Sequence, residues 1–246
     1  MPARFVTSRG NEVDVVSGFT TAAGITLTLN VNPLGRERML GLVSAMWVGG
    51  VDSSSAPFGA SFGGEAMPLK GSRLWDSNEE GIYLWLLEDI EGGPNEIDVA
   101  VSGMPTGDVN RTLQVVAAAY HGYETVGDLV QAGGTTSSSN TVTLTGGVEA
   151  GRFISVHGTG KTGVITGQNR SKRAESRAWF YGNMILQDAP GGASVAMTAN
   201  QNSNSHWGAL GFPITASQVD IGADLSVGPA ELSTAGIGVY DRDVEP

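Results

Sequence analysis

Cysteine is absent from the 246 residues of the chain, which removes disulfides and thiolate metal sites from consideration. Cations are few: 14 lysines and arginines stand against 25 aspartates and glutamates, for a formal charge of −11. Phosphate binding needs a net positive surface, so this balance argues against a nucleic-acid partner. Apolar runs stay short of membrane-spanning length, and residues 1–16, with Arg4, Arg9, Glu12 and Asp14, hold no apolar signal core. The expectation is a chain with no membrane partner and no standard export signal, made in the cytoplasm. Charged residues are only 16% of the total, too few for long solvated helices, and this turns attention to strands.

What is abundant is glycine, 36 residues, together with Ser, Thr, Asn and Val. That profile suits many short strands joined by tight turns. Residues 24–32 (GITLTLNVN) alternate, a polar turn follows, and 39–48 are nearly all apolar; a half-exposed strand thus leads to a buried one. The same phrase recurs as 96–102 before 112–120, as 140–145 before 153–156, and as 192–199 before 205–212. Gly63-Gly64 marks a hairpin turn. Residues 133–140 (GGTTSSSN) read as a loop.

Several catalytic patterns fail in context. Residues 157–163 (HGTGKTG) match both G-x-G-x-x-G and the end of a Walker A loop. Both need a helix opening at the last glycine so that free N–H groups face the anion. Here Val164-Ile165-Thr166-Gly167 follows, so a strand leaving into a glycine-rich loop is expected. Gly59-Ala60-Ser61-Phe62-Gly63 matches the nucleophile elbow, yet Pro68 spoils the helix that the elbow requires. His121, His157 and His206 are isolated; they read as strand-end residues with satisfied N–H groups, with convergence on a metal as the alternative. Glu88, Asp89 and Glu91 flank a turn, and Asp241, Asp243 and Glu245 read as a solvated acidic end rather than a Ca²⁺ site. The basic stretch 170–177, four cations and one Glu, reads as a solvated loop.

Of the tryptophans, Trp47, Trp85 and Trp179 lie in apolar runs and read as core. Trp75 (RLWDSNEEG) and Trp207 (NSHWG) sit among polar residues. They are the candidate site residues, exposed aromatics for stacking on a sugar or anchoring a protein interface.

The order of phrases carries a resemblance. It runs from 33–48 through 62–69 (FGGEAMPL), 84–87 (LWLL) and 93–99 (GPNEIDV) to 117–123 (AAAYHGY). Over roughly residues 5–212 this resembles the β-sandwich proteins of tailed-bacteriophage virions, of the minor tail or capsid decoration type. The resemblance implies a structural role without catalysis or cofactor, localisation in the virion, and partners among other copies of the chain and other virion proteins. The expected fold is all-β, an antiparallel, jelly-roll-like β-sandwich over 1–215 with an extended C-terminal arm over 216–246. Residues 1–11 and the arm are expected to reach onto neighbouring subunits. The rival from another class is a carbohydrate-binding module that contacts host-surface glycan through Trp75 and Trp207.

Overall fold

A computed structural model describes residues 13–32, 38–49, 58–101, 112–178 and 182–216. The expected arms, 1–11 and 216–246, lie outside these residues apart from Ala216, as do Trp179 and the acidic end at Asp241, Asp243 and Glu245. Every regular element among the described residues is a strand, and all paired strands are antiparallel.

The first half contains β1 (Val13–Thr20), β2 (Gly24–Val31), β3 (Met39–Val48), β4 (Phe58–Phe62), β5 (Glu65–Ala66), β6 (Leu69–Trp75), β7 (Glu80–Leu87), β8 (Gly93–Val101) and β9 (Thr112–His121). Five of these form an inner sheet in the order β1-β9-β3-β7-β6, and four form an outer sheet in the order β2-β8-β4-β5. The second half contains β10 (Tyr123–Val126), β11 (Val130–Thr145), β12 (Arg152–Thr159), β13 (Ile165–Gln168), β14 (Ser171–Arg177), β15 (Asn183–Pro190) and β16 (Ser194–Ala216). These make a seven-stranded sheet that folds over on itself, because β11 and β16 are long enough to serve two layers. Residues 207–214 of β16 pair with β12 in an inner layer, while 194–200 pair with 139–145 of β11 in an outer one.

The two halves share one strand order. Around the inner layer of the second half run 130–134, 207–214, β12, β15 and β14; around its outer layer run 139–145, 194–201 and β13. Those positions correspond one for one to β1, β9, β3, β7 and β6, and to β2, β8 and β4. The inner layers pack face to face, with β1 beside β14 and β6 beside β11, the arrangement that a two-fold relation between the halves produces.

This layering explains the recurring phrase in the sequence. Each alternating segment is an outer strand, wet on one face, and each apolar run is an inner strand covered on both. Thus β2 shows the burial of a half-exposed strand, whereas every residue of β3, β9 and β12 is buried. Successive side chains of β9 divide between two cores: Leu113, Val115, Ala117 and Ala119 face the outer sheet, and Val116, Ala118 and Tyr120 face the second half. A third core, with Val142, Leu144, Phe153 and Met197, lies within the folded-over sheet.

Two expectations need correction. Residues 133–140 are strand, inside β11, and 194–199 and 205–212 are not two strands joined by a turn but parts of the single strand β16. The polar residues that suggest loops are held by side-chain bonds: the Gln201 side-chain amide donates across to the Ser137 carbonyl oxygen of β11 and, within β16, to that of Ser205. Register shifts between Gly134 and Ser137 and between Ser137 and Ser139 let the ladder bend there.

Candidate functional site

Three of the polar segments singled out in the sequence meet at one end of the seam between the halves. The β6–β7 turn comes from RLWDSNEEG, the β12–β13 loop from HGTGKTG, and the middle of β16 from NSHWG. In the turn, Asp76, Ser77 and Asn78 all take positive φ, at 49°, 57° and 67°, a conformation that Asp and Asn tolerate better than most residues. Trp75 and Glu80 face each other across the hairpin, and the Trp75 Nε1–H donates to Glu80 Oε2 at 2.6 Å.

From the second half, β12 ends at Thr159 and the chain turns without a helix, as expected. The Gly160 N–H donates to the His206 carbonyl oxygen at 2.8 Å, which places the Lys161 N–H 3.4 Å from Glu80 Oε1. One ligand atom each of Asp76, Glu80 and His206 then lie within 4.8 Å of one another, with His206 Nδ1 3.9 Å from Asp76 Oδ1. Glu80 is 2% exposed, and burial raises its carboxyl above the usual range.

The glycines that imitate a phosphate loop have a packing role. Gly158 and Gly208 are register partners, and a Cβ on Gly208 would stand 2.5 Å from the Trp75 ring. The pair forms a bare patch on the inner sheet into which Trp75 fits. A Cβ on Gly160 would lie 2.5 Å from Glu80 Oε2, so that glycine leaves room for the carboxylate.

The two candidate tryptophans are therefore not exposed stacking platforms. Trp75 is 6% and Trp207 9% exposed; Trp75 plugs the seam, and Trp207 belongs to the core within the folded-over sheet, with its ring nitrogen over Gly134. Their polar sequence neighbours misled because turn and strand residues on the opposite side carry the polarity. The grouping of Asp76, Glu80 and His206 was missed for a related reason. Its members stand in segments that the sequence makes conspicuous, but they are brought together only by the stacking of the halves.

Several other polar groups singled out in the sequence have internal partners. His157 is mid-strand rather than at a strand end, fully buried, with Nε2 2.9 Å from Ser155 Oγ and 2.8 Å from Gln187 Nε2. Burial lowers its pKa to about 3. Ser155 is also fully buried, and among the described residues His157 Nδ1 has no partner, so there this pair has neither the access nor the orienting acid of a nucleophile. His121 Nε2 meets Asp14 Oδ2 at 3.1 Å. Gly59–Gly63 falls in β4 and its hairpin turn, without an elbow; the Ser61 hydroxyl faces Asp98 at 3.4 Å.

Glu88 and Asp89 accept from Arg38, Asp89 through both oxygens at 2.6 and 3.0 Å, and this guanidinium holds the Asp89 carboxyl below its usual range. Arg38 also lies over the Tyr123 ring at 4.6 Å, tying the link between the halves to the β7–β8 turn. The basic stretch 170–177 is mostly the edge strand β14 rather than a loop. Its Lys172 pairs with Glu175, and Arg173 reaches the buried Asp188 at 2.8 Å.

In comparisons with protein-family models, curated proteins and solved structures, nothing matches the chain.

Proposed function

We propose that the chain is a non-enzymatic structural subunit of a tailed-phage virion, a minor tail protein. The observation that carries this reading is the repeated strand order. In each half an inner sheet and an outer sheet are connected as β1-β9-β3-β7 and β2-β8-β4, which we read as the connectivity of a jelly roll. Jelly rolls recur in viral shell proteins and in lectins. The burial of Trp75 and Trp207 removes the aromatics on which the lectin reading rested, which favours the structural one. Two sandwiches joined through their fully buried inner strands make a stiff body, suited to holding position in an assembly while terminal segments or outer sheet edges reach other subunits.

The test is mass spectrometry and antibody labelling of purified particles of the phage whose genome encodes the chain. The reading predicts the chain in the particles, with label on the tail. Label on the head would replace the minor tail reading with a capsid decoration protein, and absence from the particles would end the virion reading. A variant lacking 216–246 is expected to fold but not to incorporate; normal incorporation would remove the arm from the mechanism.

A further inference from the structure

We propose that Asp76, Glu80 and His206 form a binding site for a divalent transition-metal ion that ties the first sandwich to the second. The ligands come from both halves, two carboxylates from the β6–β7 hairpin and one imidazole from β16. An ion between them would therefore act as a cross-link across the seam. Imidazole with two carboxylates suits Mn²⁺, Co²⁺ or Zn²⁺, whereas Ca²⁺ and Mg²⁺ favour all-oxygen sets.

The separations fit such a site. Ligand atoms about 2.0–2.2 Å from an ion lie roughly 3 to 4 Å from one another, and His206 Nδ1 already stands 3.9 Å from Asp76 Oδ1. The full set lies within 4.8 Å, close to that range.

A second observation concerns Glu80. It is 2% exposed, and among the described residues no lysine or arginine side chain pairs with it. Its hydrogen bonds come from the Trp75 ring N–H and, at 3.4 Å, the Lys161 backbone N–H. A buried carboxylate beside a second carboxylate is costly unless a cation compensates it. Trp75 fixes Oε2 as an outer partner fixes a metal ligand, and leaves Oε1 with only the long contact. Water molecules would complete the coordination on the side of Asp76, which is exposed.

The test uses the full chain freed of metal with a chelator, titrated with Mn²⁺ by calorimetry and with Co²⁺ by visible absorption. The expected result is one ion per chain, with affinity at least tenfold weaker in His206→Ala and in Asp76→Asn. Both side chains are at least partly solvent-exposed, so these variants keep the fold even if Glu80→Gln does not. No binding at millimolar Mn²⁺ and Co²⁺, or binding that both variants leave within twofold, would overturn the proposal. In that event His206 and Asp76 would be an ordinary surface pair. Neither outcome depends on whether the chain is found in a virion.

Discussion

His157 shows how far the environment of one side chain can move its chemistry. Sealed between the layers of the folded-over sheet, it stays neutral down to about pH 3, whereas in the unfolded chain it takes up a proton near pH 6.5. The unfolded state therefore binds more protons between these values. Stability from this residue is complete above pH 6.5 and declines as the pH falls, by up to about 1.4 kcal/mol per pH unit. Urea midpoints at pH 7.5 and pH 5 should differ more for the native chain than for His157→Gln, by about 2 kcal/mol after conversion. Equal pH dependence in the two would show that another group dominates.

Between elements, the fit of Trp75 at the end of β6 into the glycine pair of β12 and β16 ties the two sandwiches. Replacing a buried tryptophan by alanine costs about 3–5 kcal/mol, and crowding a packed core costs about 1–3 kcal/mol. Trp75→Ala and Gly208→Ala should each destabilise within those ranges. The double variant should lose less than the sum by at least about 1 kcal/mol, because the new methyl then enters space the ring has left. Chemical denaturation of the four proteins checks this, and strict additivity would mean that the ring does not press on Gly208. The strand positions were legible beforehand, since alternation in 24–32 and apolarity in 39–48 follow from one wet face against none. The length of β16 was not, because its Asn and Ser residues read as turn formers until partners on β11 satisfy them.

For the molecule as a whole, the seam is a core in its own right. It buries Leu40, Leu42, Met46, Leu84 and Val116 from the first half against Ile154, Val156, Leu186, Leu210 and Phe212 from the second. Separating the halves would expose this surface to water, at roughly 25 cal/mol for each Å² of apolar area. The two sandwiches are therefore expected to unfold in one transition, with tryptophan fluorescence and far-UV circular dichroism coincident in urea. Leu84→Ala should lower that transition by about 2–5 kcal/mol without splitting it. Two separate transitions would mean that the seam is too weak to couple the halves.

Local pattern was enough to read the all-β character and the pairing of outer with inner strands, because burial on one face or two leaves its period in the residues themselves. It also told that no helix opens after HGTGKTG or GASFG, as a phosphate cradle or an elbow would require, since the residues that follow are poor helix formers. The division into two like-ordered halves, the fate of Trp75 and Trp207, and the meeting of Asp76, Glu80 and His206 were decided by tertiary structure. Those depend on which strand lies beside which and which face meets which, and contacts between residues 76 and 206 leave no periodic trace along the chain.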